Sequence, residues 1–314
     1  MMVLVNILYY YGIMQRVVAV LGKAMNKIMH VSGAEALSNV ASAFVGQIVA
    51  QIMIKPYLEK LTRSELLASM AGSMACISGA IMPIYISMGI PAQYLLASSV
   101  MAAPGALILA KIIYPETGEP ETRDNIRISK RRTFANVFDG ISSGASEGMK
   151  VAINVTAMIL ALVALVAFID WILGVFGNFA YNFVPGCSQF MFLPDLSLKL
   201  ILGKIFSIFA VALGVPFTDA STVGALMGTK LVLNEMVAYV QLSQIASNID
   251  PKSFMIASFA LCSFGNFGSI AIQIGGIGEL APNQRKNLAR LGLRALICGT
   301  LSCYLSAAIV GVLL

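Results

Sequence analysis

The chain has 314 residues, of which 58% are hydrophobic and only 11% charged, with a formal net charge of +6. Soluble domains carry about 45–50% apolar and about 25% charged residues, so this composition excludes an ordinary soluble domain and points to a polytopic membrane protein. No nucleic-acid partner is expected from the positive charge, because the basic residues gather in loops between apolar runs.

Residues 1–21 form a first span, with Gln15 and Arg16 near its inner end. It has neither a basic leading region nor a small-residue cleavage site, so it does not read as a cleavable signal peptide. Residues 36–54 are apolar, follow a turn bearing Gly33 and centre on Gly46-Gln47, so 36–60 reads as a re-entrant hairpin with its tip near Gly46. A helical span needs ~20 mostly apolar residues. The stretch 66–110 contains no Asp, Glu, Lys or Arg and holds two spans, 64–89 and 92–114, joined by the turn around Met88-Gly89-Ile90-Pro91. A polar connector, 115–150, carries Arg123, Arg127, Lys130, Arg131 and Arg132. The next span is 151–175, followed by a Gly/Pro/aromatic loop at 176–198 and a tilted or interfacial helix at 199–213. A second hairpin occupies 220–249, and spans follow at 253–279 and 288–314.

Charge tests this layout. With the 115–150 connector in the cytoplasm, loops 22–35, 55–63, 111–150 and 280–294 fall inside and hold 16 of the 21 Lys and Arg residues. The turn at 88–93 and the loop at 176–198 fall outside and hold none, as the positive-inside rule requires. The five cysteines, Cys76, Cys187, Cys262, Cys298 and Cys303, form no CxxC pair and read as small apolar packers.

Two stretches 189 residues apart look like copies. Residues 64–89 read SELLASMAGSMACISGAIMPIYISMG and 253–278 read SFMIASFALCSFGNFGSIAIQIGGIG, with seven identities that include Ser64/Ser253, Gly79/Gly268 and Gly89/Gly278. Both are interrupted at mid-span by Gly, Ser or Asn. A broken helix exposes backbone polar groups at membrane depth, which is tolerated only where they line a cavity or meet a ligand. The same offset carries Gly46 onto Glu235, so both hairpin tips stand equally far from their partner breaks. The repeat unit is hairpin–span–span, at 36–114 and 220–314, and one extra crossing at 151–175 sets the copies in opposite orientations. The expected fold is an all-α polytopic membrane protein of two inverted repeats. The chain divides into 1–35 and 115–219 as scaffold and connector, with 36–114 and 220–314 as the repeats. Inverted repeats of this kind place a substrate at the midplane where the copies meet.

Glu235 lies in the predominantly apolar segment GTKLVLNEMVAY. An ionisable residue inside a membrane is costly and marks a functional site by default. Lys230, on the same hairpin, is expected to snorkel or to pair with it. Asn266 sits at the second break, in Phe264-Gly265-Asn266-Phe267-Gly268-Ser269, where the unwound backbone leaves its amide and the Ser269 hydroxyl free for ligand hydroxyls. Gln47, at the first hairpin tip, forms the opposite wall. Asp219 and Glu147 lie near span ends and read as structural.

The strings SELLASMAGSMACISGA, LLASSVMAAPGALILAKIIYPE, GVPFTDA, GTKLVLNEMVAY, FALCSFGNFGSIAIQIGGIG and NLARLGLRAL resemble the concentrative nucleoside transporter family, over about residues 7 to 310. The resemblance implies an ion-coupled nucleoside symporter, homotrimeric, lodged in the lipid bilayer of the plasma or bacterial inner membrane. It implies substrate movement by an elevator motion of the hairpin-bearing domain. It assigns Glu235, Asn266 and Ser269 to the ribose, with Phe264 as a wall.

Three departures qualify it. The family's first hairpin reads Gly-Gln-Thr/Ser-Glu-Ala-Pro, whereas here it is Gly46-Gln47-Ile48-Val49-Ala50-Gln51. That leaves Gln47 and Gln51 as polar readers of the base and resembles a branch associated with unusual nucleosides such as pseudouridine. The family's sodium ligands fall on Ser42 and Cys76, with Val45 and Ile77 supplying carbonyls, and a thiol is a poor ligand for a hard cation. Proton coupling through Glu235 is therefore expected ahead of sodium coupling, and no other cofactor or metal is expected. Family members also carry spans ahead of the first one here, which implies a shortened scaffold. The competing readings are a non-transporting sensor, an ion channel and a membrane enzyme. The last would need a nucleophile–base or metal constellation, and the chain has a single histidine, His30, and neither HExxH nor GxSxG.

Overall fold

The structure, a computed structural model, describes Val3, Ile7 and residues 10–122, 135–183 and 196–313. The expected basic cluster Arg123–Arg132 and Cys187 lie outside the described residues, as does much of the expected first span. The described part of that region is α1 (Ile13–Met29), which continues past the expected inner end and packs on the first hairpin.

The first hairpin is α2 (Gly33–Val45) and α3 (Gln47–Met53), followed by the short α4 (Lys55–Leu58). A capping box starts α2: Ser32 Oγ accepts from the Glu35 amide, and Glu35 returns a bond to the Ser32 N–H at 2.7 Å. Each reciprocal bond satisfies an amide that the helix itself cannot. A second box, Thr62 with Glu65, starts α5 (Arg63–Ala75), the first half of the first broken helix. Its second half is α6 (Met82–Ser87), and the span α7 (Ala92–Ile113) follows the Gly89 turn. At the far end of α7, Lys111 Nζ lies 2.7 Å from Glu35 Oε2 and donates to Ser64 Oγ at 3.0 Å, tying the starts of α2 and α5 to one point.

The second repeat has the same order. Its hairpin is α10 (Phe217–Val232) and α11 (Glu235–Gln244); its broken helix is α12 (Pro251–Leu261) and α13 (Phe267–Leu280); its span is α14 (Arg285–Leu313). Among the described helices, Ala92–Ile113 and Pro282–Leu313 are each long and apolar enough to cross a membrane. The two spans meet closely where Ser302 Oγ donates to the Ala102 carbonyl at 2.9 Å, beside Gly105.

Two apolar cores follow from this pairing. One joins α2, α5, the second half of α7 and the first half of α14; the other joins α10–α12, Leu95 of α7 and the end of α14 around Cys303. The spans run antiparallel, so the cores sit at opposite ends and the helix breaks fall between them. Cys76, Cys262, Cys298 and Cys303 are buried in these cores.

One connecting element is longer than expected, and the next lies where expected and shows its partner. The connecting helix α8 spans Val137–Phe183, starting well before residue 151, because the polar run SSGASEGMK continues the helix instead of interrupting it. The helix expected at 199–213 as tilted or interfacial is α9 (Leu198–Ala212), which packs along α10 and makes a broken pair with it, bent by 118°. Glycines permit that contact: a Cβ on Gly224 would stand 2.5 Å from the Ser207 nitrogen and 2.8 Å from the Gly203 carbonyl oxygen. Backbone cannot yield as a side-chain end can. Gly224→Val is therefore expected to cost about 3 kcal/mol through overpacking, read as a lower thermal transition in detergent. An unchanged transition would show that α9 and α10 separate freely.

Candidate functional site

The candidate site lies where the two hairpin tips meet the two helix breaks. Gly46, at φ +86°, turns the chain between α2 and α3, and its Cα faces Ser78 in the first break. The Gly79 amide donates to the Ala43 carbonyl at 3.2 Å, joining the hairpin to that break. Deeper in, Gln51 is fully buried: its Nε2 donates to Ser73 Oγ at 2.9 Å, and Ser69 Oγ donates to its Oε1 at 2.8 Å. Gln51 therefore fastens the hairpin to α5. It is not the polar reader of a base that the motif departure led us to expect, because both ends of its amide are occupied by serines on α5.

The breaks themselves touch. Cys76 is extended, at φ −122° and ψ 164°, and its carbonyl accepts from the Phe264 amide at 3.4 Å. Past the second break, Asn266 caps α13: its Oδ1 accepts from the Ser269 amide at 2.9 Å, which leaves Nδ2 as its free donor. Ser269 Oγ donates to the Phe264 carbonyl and accepts from Gln47 Nε2 at 3.2 Å. Phe264 is half-buried beside these groups. The structure thus brings Gln47, Phe264, Asn266 and Ser269 together.

Glu235 opens α11 behind its own cap, Asn234, whose Oδ1 accepts from the Val237 amide at 2.9 Å. The Glu235 residue is 6% exposed; Oε1 accepts from the Tyr85 hydroxyl at 2.9 Å, and Oε2 has no hydrogen-bond partner. Tyr85, on α6 of the other repeat, lies against Tyr239 with ring centroids 4.6 Å apart and planes tilted by 36°. Sequence reasoning missed Tyr85, which stands 150 residues from its partner and carries no local signal.

Lys230 neither snorkels nor pairs with Glu235. It is fully buried, donates to the Ala260 carbonyl at 3.3 Å and sits 5.7 Å from the Tyr304 ring centroid. The ion pairs among the described residues are Lys60–Glu121, Lys111–Glu35 and Lys111–Glu116, so the carboxylate of Glu235 is not held by a lysine. Asp219 is structural, accepting the Asp250 amide at 3.0 Å; the Glu147 side chain lies outside the described residues.

The expected cation ligands fall at the junction of the first hairpin and first break, but their side chains are turned to other partners. Ser42 Oγ donates to the Ser38 carbonyl at 2.7 Å and lies 3.0 Å from Ser73 Oγ, while the Cys76 thiol donates to the Gly72 carbonyl at 3.2 Å. Val45 ends α2, and Ile77 is a buried residue of the break. Among the described residues, no group of three or more His, Cys, Asp or Glu side chains is placed to hold a metal.

A fold of inverted hairpins and broken helices, with unpaired acceptors at their meeting point, defines a membrane transporter. Comparison with known proteins names its kind. A family model described as the Na+ dependent nucleoside transporter C-terminus matches residues 94–311, and one described as nucleoside recognition matches 1–92. The chain is 43% identical to the uncharacterized transporter YutK of Bacillus subtilis, over 98% of this chain and 74% of the relative. It is 39% identical to the nucleoside permease NupC of Helicobacter pylori, over 98% and 72% of the two chains. The solved structure of CNTnw in an inward-facing substrate-bound state matches with a TM-score of 0.87 at 39% identity, covering 99% of this chain and 71% of that one. A doubly substituted CNTnw in an outward-facing state gives 0.90 at 40% identity, covering 99% and 72%. The chain belongs to the concentrative nucleoside transporter family and is an integral membrane protein, not an enzyme.

Proposed function

We propose that this chain is a proton-coupled nucleoside symporter that imports ribonucleosides by an elevator-type movement, as a homotrimer in the bacterial inner membrane. The observation that carries the reading is the set of valences at the meeting point of the repeats. Glu235 Oε2 and Gln47 Oε1 are buried acceptors without partners, and the Asn266 cap engages its Oδ1, not its amide nitrogen. Buried polar groups are nearly always paired, so unpaired ones in a ligand site call for a ligand that completes them. A ribose offers hydroxyls that both donate and accept, which suits a carboxylate and amides as partners. The alternating movement is supported by the CNTnw structures, whose descriptions span inward-facing, intermediate and outward-facing states.

Proton coupling is favoured by the chemistry of the side chains that would otherwise hold sodium. Ser42 is engaged with Ser38 and Ser73, and Cys76 offers sulfur, which a hard cation binds poorly. Glu235, with one oxygen unpaired, can take up a proton instead. The deciding measurement is uptake of labelled nucleosides by reconstituted vesicles, under an imposed pH gradient without Na+ and under a Na+ gradient at symmetrical pH. Concentrative uptake is expected only with the pH gradient. Uptake driven by Na+ alone would overturn the coupling and show that the cation tolerates Cys76 beside it.

A further inference from the structure

Three hydroxyls and one amide are buried together where α2 and α3 of the first hairpin lie against α5: Ser42, Gln51, Ser69 and Ser73 are all fully buried. A hydroxyl has a single proton to give. That of Ser42 goes to the Ser38 carbonyl at 2.7 Å, that of Ser73 to the Ser69 carbonyl at 2.9 Å, and that of Ser69 to Gln51 Oε1 at 2.8 Å. Ser42 Oγ and Ser73 Oγ then face each other, 3.0 Å apart, with lone pairs only. One turn earlier on α2, Asn39 gives its Nδ2 to the Glu35 and Ala68 carbonyls, and its Oδ1 lies over Gly72 without a hydrogen-bond partner. The interface is rich in oxygen acceptors and poor in donors.

Oxygens that face each other in a buried interface repel unless positive charge is brought to them. An oxygen-coordinated cation is one solution. Gln51 supplies another: its Nε2 donates to Ser73 Oγ at 2.9 Å, while its Oε1 accepts from Ser69. The amide brings the positive end of a dipole to the oxygens and carries no net charge, so no ion has to be stripped of its water. Its tether is short. Gln51 lies on the seven-residue α3, whose first residue, Gln47, reaches Ser269 on α13. Fixing Gln51 on α5 therefore fixes the hairpin tip.

We propose that Gln51 is a positioning residue whose amide stands in for a bound cation, holding the first hairpin on the first broken helix with no ion between them. The inference rests on the reading of this chain as a transporter that does not use Na+. It makes Na+ independence a property of one side chain, which substitution reverses. Gln51→Glu sets an acceptor against Ser73 in place of the donor, and Gln51→Ala leaves the serine oxygens with none. Each variant turns the junction into a place for a cation.

The test is thermal unfolding of the purified full chain, with titration of adenosine and uridine beside it, in NaCl and in choline chloride of equal concentration. Alkaline pH keeps an introduced carboxyl ionised. The unmodified protein is expected to give the same transition and the same affinities in both salts. In Gln51→Glu and Gln51→Ala, Na+ is expected to raise the transition by several degrees and to tighten nucleoside binding about 5- to 10-fold over choline. A merely structural role of Gln51 would weaken the variants without making them respond to the identity of the salt. A Na+ response in either variant, including folding in Na+ alone, supports the inference. Two variants that behave alike in both salts, folded or not, overturn it and leave the Na+-independent transporter standing. A Na+ response of the unmodified protein overturns that reading and the inference together. The thermal measurement needs no ligand, so it decides whatever the substrate is.

Discussion

Replacing Glu235 with glutamine is expected to weaken nucleoside binding by about 10- to 100-fold while the protein still folds and inserts. The geometry explains why so small a change acts so strongly. Tyr85 donates to Oε1 at 2.9 Å, so glutamine keeps its oxygen there and turns the second position, now an unpaired acceptor, into an N–H donor. A ligand hydroxyl that donated to the carboxylate then meets a donor. Hydrogen bonds to ionised groups contribute about 1.5–3 kcal/mol, and their loss sets the size of the effect. Stability should change little, since Asn234 caps α11 independently of the carboxylate. The measurement is equilibrium binding beside thermal unfolding of the same preparation. Undiminished uptake by Glu235→Gln would remove the residue from the site.

Asn266 should show a comparable loss, provided that its two duties are separated. Its Oδ1 caps α13, and its Nδ2 is the donor free for a ligand. Asn266→Ala removes both, and loss of a cap alone costs about 1 kcal/mol. Asn266→Ser keeps a capping oxygen and removes the donor. It is expected to retain thermal stability but to bind ribonucleosides about tenfold more weakly or worse. The same assignment requires a 2′,3′-dideoxynucleoside to compete poorly against the parent ribonucleoside. Free bases that compete as well as their ribosides would end the ribose assignment.

Much of this arrangement is written in local sequence. The shared offset placed both hairpin tips, at Gly46 and Glu235, and marked both repeated helices as broken at mid-span, the second at Asn266, because breaks need glycine and capping side chains wherever they occur. Spans α7 and α14 follow from charge-free runs that must be helical in a bilayer. What escaped depends on distant partners. Gln51 reads as a polar residue near a tip and becomes a fastener only when α5 lays Ser69 and Ser73 against it. Lys230 reads as a partner for the nearby Glu235, yet the fold hands it to a carbonyl on α12. The start of α8 at Val137 was hidden because small polar residues in SSGASEGMK are compatible with a helix or a loop. Only the tertiary context decides between them.

Three of the central contacts take one member from each half of the chain. Gln47 reaches Ser269, Tyr85 reaches Glu235, and the Cys76 carbonyl meets the Phe264 amide. Neither half owns a finished site, so cutting the polypeptide between Thr122 and Ala135 would leave two fragments that are each blind to the ligand and competent only when reassembled. Recognition in this molecule is a property of partnership between two related halves, as it would be in a dimer of separate subunits.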